Sequence, residues 1–296
     1  MRRRQIVAQR EQETAQAVAT SAQADNDAQV LGMWLARSES PHTRRAYERT
    51  AIELLAHVGR SLADLRVRDV QAWLDTLADK APSTVRQRLA AIKSLLTFAY
   101  ELGYIEFNAG RVLKAPSVKQ TLAERILSEE QVLAMLHAES SPRNRVLLRV
   151  LYSSGLRVSE AVSLRWRDVQ ARDEGVQLTV HGKGGKTRAV RLSSAVSEQL
   201  LGLREDASDD APVFTSRKGG SLDTRQVHRI VRAAGERVGV EGVSPHWLRH
   251  AHASHALERG APIHLVQATL GHASVATTGV YLHARPTESS GRYLAV

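Results

Sequence analysis

The sequence predicts a mainly α protein: an all-helical first domain, then a mostly helical second domain with a small antiparallel β-sheet. Three observations predict it. Four amphipathic helical patterns follow one another between residues 28 and 104. Only one pair of β-prone segments stands out, "GVQLTVHG" and "TRAVRL", on either side of "KGGK". Beyond Leu222 the apolar positions again recur at helical spacing.

The elements follow in order. Residues 1–27 are rich in Gln, Ala, Arg and Glu and poor in large apolar groups, so a basic, polar arm is expected. Residues 28–115 form the expected helical domain. Its first helix is "DAQVLGMWLARS", with Val30, Leu31, Trp34 and Leu35 in phase. The second starts at Ser40 as N-cap with Pro41 in the first turn and stops at Gly59. The third is "RVRDVQAWLDTLAD". The fourth is expected to be capped by Ser83 and stopped at Gly103. Residues 116–126 contain no steady period and read as a linker. Residues 127–296 form the second domain, opened by a capping box of Ser128 and Gln131. A buried helix ending at Gly155, the hairpin, a short strand "APVF" and a final helical stretch follow. No repeat period is evident.

Composition narrows the function. The 296 residues contain no cysteine, which excludes disulfides and thiolate metal sites. No apolar run approaches the ~20 residues of a membrane span, and the basic opening lacks an apolar leader core. A cytoplasmic location is expected. The formal net charge is +10, shared equally on either side of residue 120. A balance this basic attracts phosphate, so nucleic acid touching both halves is the expected partner.

The residues that carry chemistry lie in the second half. Arg157 follows a glycine helix stop and sits three residues before Glu160, a surface ion-pair spacing. Lys183 and Lys186 lie on the glycine-rich hairpin turn; no phosphate-binding GxxxxGK[ST] loop is present. "PHWLRHAHASH" places His246 and His250 one helical turn apart, the spacing of the zinc-hydrolase signature H-E-x-x-H. Trp247 occupies the glutamate position and Arg249 stands between the histidines. A permanent cation opposes a divalent metal but suits a phosphate, as does a helix N-terminus behind Ser244 and Pro245. Leu270-Gly271 ends a helix, His272 sits on the turn, Ser274 caps the next helix, and Tyr281 lies on it nine residues after His272. Tyr47, Tyr100 and Tyr152 fall in amphipathic stripes and read as core.

Taken in order, "GLRVSE", "GKGGKTR", "HWLRH" and "LGH" with the later tyrosine resemble the tyrosine recombinase, or phage integrase, family. The resemblance implies Arg157, Lys183, His246, Arg249, His272 and Tyr281 as the catalytic set, with Tyr281 the nucleophile. Glu160, Lys186 and His250 are expected in support. It implies a helical core-binding domain at about residues 28–115, in which Arg44, Arg45, Arg86, Arg88 and Lys93 are the expected DNA contacts. It implies double-stranded DNA at specific sites as partner, a tetramer on synapsed DNA, and no metal or cofactor. The reaction is expected to pass through a covalent 3′-phosphotyrosyl bond that conserves the phosphodiester energy. The alternatives are a catalytically inactive sequence-specific DNA-binding protein and a type IB-like topoisomerase.

Overall fold

The computed structural model describes residues 23–117, 122–182 and 185–283, and the chain divides into two compact units between Lys119 and Gln120. The expected arm up to residue 22 and part of the expected linker, 118–121, lie outside the described residues.

The first unit is built on α1 (Asp27–Ala36), α2 (Pro41–Val58), α3 (Val67–Asp75) and α4 (Pro82–Glu101). Local chemistry sets their ends. Asn26 caps α1 and Ser40 caps α2, each accepting a backbone N–H of the first turn. Gly59 closes α2 at φ 67, a conformation that costs a side-chain-bearing residue ~1 kcal/mol or more. The start of α4 differs from expectation. Ser83 lies inside the first turn rather than capping it, because Pro82 takes the leading position and Ala81 precedes it without a side-chain cap. Proline's fixed φ substitutes for the missing cap.

Trp34, Leu54, Trp73, Leu89, Ile92, Leu95 and Leu96 fill the core of this unit, each 3 % exposed or less. Burying such a side chain contributes about 1.5–3 kcal/mol. Trp34 stacks on Tyr47 at 5.1 Å and donates its indole N–H to Ser94. The Asp27 carboxylate accepts from Ser61, the Leu62 N–H and Tyr104, tying α1 to the chain beyond α4. Tyr100 departs from the core reading: it is 43 % exposed, with the Arg111 guanidinium over its ring. It lies one residue from the end of α4, past the reach of the packed stripe.

The second unit opens with α5 (Glu129–Ala138), started by the reciprocal Ser128–Gln131 capping box. Next come α6 (Pro142–Ser154), α7 (Val158–Ser163) and the sheet β1 (Val169–Arg172), β2 (Gly175–His181) and β3 (Thr187–Leu192). All strands are antiparallel in the order β1-β2-β3, with Val169 opposite Leu178 and Val180 opposite Arg188. β1 was not expected: only Val169 of its four residues is buried, too short a run to show alternation. "APVF" forms no strand; Pro212 makes only an isolated bridge to Arg165. α8 (Ser194–Leu201), α9 (Thr224–Glu236), α10 (Pro245–Glu258), α11 (Ile263–Leu270) and α12 (Val275–Gly279) complete the unit, and a 3-10 turn spans Val280–His283.

The inward face of the sheet, Val176, Leu178, Val180, Val190 and Leu192, joins one core with Leu147, Leu148, Trp166, Val231 and Leu248. α10 runs through this unit and buries Leu248, Arg249, Ala251, Ala253, Ser254 and His255. Tyr152 of α6 straps it in place. Its hydroxyl meets His255 Nδ1 at 2.9 Å and its carbonyl meets His252 Nδ1 at 2.8 Å. Among the described residues no helix is long and apolar enough to cross a membrane.

Candidate active site

Four chain segments of the second unit meet at the C-terminal end of α11. The first is the turn after α6. Gly155 caps that helix at φ 60, and a Cβ there would stand 2.7 Å from Leu270 Cδ2 and 2.8 Å from His252 Cδ2. Only glycine permits this approach, and it places the Gly155 carbonyl against α10. Two residues on, Arg157 leads α7. Its backbone N–H and its Nη1 both donate to the Glu160 carboxylate, at 2.8 and 3.0 Å, and its side chain stays 40 % exposed. The expected surface pair is therefore half-buried: Glu160 itself is 6 % exposed.

The second segment is α10. Arg249 is 4 % exposed and donates to the carbonyls of Gly155 and Leu270. Burial, then repulsion from Arg157, pulls its guanidinium down to about 10; it remains a cation at neutral pH. His246 and His250 lie beside it with rings stacked at 6.3 Å. Ser244 occupies the N-cap position of α10 without a side-chain hydrogen bond.

The third segment is the Gly271–Ser274 turn. Gly271 at φ 64 ends α11, and His272 follows, with Nδ1 2.9 Å from the Thr278 hydroxyl. The fourth is the 3-10 turn. Tyr281 lies on it rather than on the helix capped by Ser274, which closes at Gly279. Tyr281 is 7 % exposed, packed with Ala253, Val266 and Leu270. Its hydroxyl lies 2.7 Å from His250 Nδ1. His246 was expected in the catalytic set and His250 in support; in the structure His250 is the hydroxyl's direct partner.

Burial, reinforced by Arg249, holds the imidazoles of His246, His250 and His272 in their neutral form. His246 is lowered, first by burial and then by Arg249, His228 and Arg157. His250 is pulled down to about 4 by burial, His246 and Arg249, and His272 to about 4 by burial, Arg249, Arg157 and Arg188. Burial raises the Tyr281 phenol, and Arg249 offsets part of that rise. Burial would also raise Glu160, but hydrogen bonds from Arg188 and Arg157 outweigh it and hold the carboxylate ionised. Such a pocket carries more positive than negative charge and presents forked donors, as a phosphate group requires. Among the described residues no cluster of three or more His, Asp or Glu side chains is arranged to hold a metal ion.

Acid should therefore unfold this unit early. His250, His252 and His272 titrate near 4 when folded, against ~6.5 in an unfolded chain. Between those values the unfolded chain binds more protons. Stability is full above ~6.5 and falls as pH drops towards 4, with about two to three protons taken up per unfolding event near pH 5. Urea midpoints measured from pH 7.5 to 4.5 check this; a flat profile would mean the three imidazoles are charged when folded.

Of the remaining expected residues, Lys183 lies outside the described residues. Lys186 is exposed, and its carbonyl accepts the Gly182 N–H at 2.7 Å across the base of the turn. In the first unit Arg44, Arg45 and Arg86 are exposed. Arg88 is paired with Glu53 at 2.6 Å and Lys93 donates to the Leu113 carbonyl at 2.6 Å, so both brace their own unit. Arg188, which the sequence showed only as the end of the hairpin motif, is 13 % exposed and forks onto Glu160.

The Phage integrase family profile matches residues 125–288, and the Phage integrase, N-terminal SAM-like domain profile matches residues 30–103. The chain is 36 % identical over 265 residues to tyrosine recombinase XerC of Pelobacter propionicus, covering 83 % of this chain and 86 % of that protein. It is 32 % identical over 267 residues to tyrosine recombinase XerC of Thermodesulfovibrio yellowstonii, covering 84 % and 88 %. The fold is shared with a XerH site-specific recombinase solved in a pre-cleavage complex with its difH substrate, at a TM-score of 0.69, 22 % identity and coverage of 84 % and 77 %. With both units matched and relatives of this similarity over most of its length, the chain belongs to the phage integrase family of tyrosine recombinases.

Proposed function

We propose that this protein cuts and rejoins double-stranded DNA at specific sites, with Tyr281 as nucleophile and no metal or nucleotide consumed. The observation that carries the assignment is the Tyr281 hydroxyl, 2.7 Å from His250 on the helix that also presents Arg249. The phenolate oxygen attacks the scissile phosphorus, the bond to the 5′-oxygen breaks, and a 3′-phosphotyrosyl bond remains. A 5′-hydroxyl from the partner strand then attacks that phosphorus and expels Tyr281. Each step exchanges one P–O bond for another, so no external energy source is needed.

Arg157 and Arg249 fork onto the non-bridging oxygens and stabilise the pentacoordinate charge. His272 and His246 donate to the same phosphate. Lys183 is assigned the proton of the departing 5′-oxygen, with Lys186 three residues on as its substitute. His250 takes the Tyr281 proton. Before DNA arrives, this transfer is uphill, because His250 is pulled down to about 4 while burial raises the Tyr281 phenol. Burial is the larger cause of that low value and Arg249 a smaller one; an incoming phosphodiester offsets the Arg249 charge and so narrows the gap in part.

One chain offers one Tyr281, and exchange between two duplexes breaks four strands; four protomers on two synapsed sites are the matching assembly. The cytoplasm, where DNA is accessible, is the corresponding compartment. Incubation with a pool of nicked duplexes of randomised sequence, in excess chelator and without ATP, tests the assignment. A denaturant-stable adduct is expected, its peptide mapping to Tyr281 and its DNA sharing one site sequence. Strand exchange between two duplexes carrying that sequence separates recombination from relaxation alone; no adduct would leave a DNA-binding protein without catalysis.

A further inference from the structure

Three arginines converge on three consecutive carbonyls at the end of α11. Arg188 Nε donates to Thr269 at 2.7 Å, Arg249 Nη2 to Leu270 at 2.7 Å, and Arg157 Nη2 approaches Gly271 at 3.5 Å. These carbonyls carry the partial negative charge of a helix C-terminus. Together with the single Glu160 carboxylate they hold three like charges in one pocket.

The three arginines are not equivalent. Arg157 is 40 % exposed, and Arg249, though 4 % exposed, spends only its two terminal nitrogens on two carbonyls; Arg188 is 13 % exposed, and all three of its nitrogens are hydrogen-bonded to protein, two of them to a carboxylate. Its two terminal nitrogens meet the two oxygens of Glu160 at 2.8 Å each, and its third nitrogen takes Thr269. Its guanidinium also lies against Gly271, where an added Cβ would stand 3.2 Å from Arg188 Cδ and Nη1. His272 is the next residue. Glu160, so gripped, passes the constraint to Arg157 through two further hydrogen bonds.

We infer that Arg188 is a positioning residue for strand transfer: its fork fixes Glu160 and the end of α11, which in turn set Arg157 and His272 on the phosphate, while Arg188 itself meets no DNA. The inference rests on the assignment of Arg157 as a phosphate ligand. A side chain held this way acts through geometry, and displacing a catalytic group by ~1 Å costs ~100-fold in rate.

The test compares full-length wild type, R188K, R188M, E160Q and R188M/E160Q on the nicked duplex recovered by adduct selection. Single-turnover adduct formation is expected to slow ~100-fold in R188M. DNA affinity should stay within about threefold of wild type with an unchanged salt slope. R188K should be nearly as slow, because an ammonium keeps the charge but cannot fork. The double variant should be no slower than E160Q alone, since one path carries both effects. Wild-type rates in R188K and R188M would overturn the inference. So would a salt slope reduced by ~1, which would make Arg188 a phosphate ligand, or full additivity with E160Q. R188K serves alone if R188M does not fold. Failure of wild type to form a Tyr281 adduct would instead overturn the functional assignment beneath it.

Discussion

Tyr281→Phe is expected to abolish the covalent adduct, a loss of at least ~10⁴-fold, because nothing replaces the attacking oxygen. The substitution keeps the ring packed with Ala253, Val266 and Leu270 and removes only the hydroxyl that meets His250. Loss of one hydrogen bond that leaves a buried imidazole nitrogen unpaired costs about 1–3 kcal/mol. The variant should therefore fold, and it should bind the selected duplex within about twofold of wild type, since the phosphate ligands are untouched. Denaturing gels read the adduct; a binding isotherm and a thermal melt supply the controls. An adduct that persists would move the nucleophile elsewhere, with Tyr293 the next tyrosine in the chain.

Much of this site is visible in the sequence because its parts are local. Gly155 and Gly271 announce two helix ends, and the structure finds both in the left-handed conformation. Arg157 and Glu160 are three apart across a helix start, and they pair. His246, Arg249 and His250 share a face by spacing alone. What spacing cannot supply is the return of a distant segment. Whether Tyr281 meets His246 or His250 depends on a 3-10 turn that brings the chain back to α10 after α12 has closed. Arg188 was hidden for the same reason: on β3 it shares the inward face with Val190 and Leu192, but its partners Glu160 and Thr269 lie 28 and 81 positions away. In the first unit, Arg88 and Lys93 looked like surface cations until Glu53 and the Leu113 carbonyl were seen beside them. β1 escaped notice because four residues with one buried side chain carry no period.

Arg249→Ala should produce the largest combined loss of stability and activity. Arg249 joins the ends of two helices, through Gly155 after α6 and Leu270 at the close of α11. Alanine leaves both carbonyls without these donors inside the protein, at a cost on the order of 2–4 kcal/mol. The offsetting gain is relief of a buried cation, which burial and Arg157 already hold down to about 10. That relief is smaller, because Glu160 and the helix-end carbonyls remain to accept the other arginines. On the reaction side, one forked donor to a phosphate under attack is worth ~10²–10³-fold or more. The adduct rate per folded molecule should fall by that factor, measured below the lowered melting temperature. Arg249→Lys separates the two roles. An ammonium preserves the charge that lowers His246 and His250 but reaches only one carbonyl at a time. It should recover part of the stability and little of the rate. If instead the lysine variant recovered the rate in full, a point charge would suffice at this position, and the fork would serve only to bind α6 to α11.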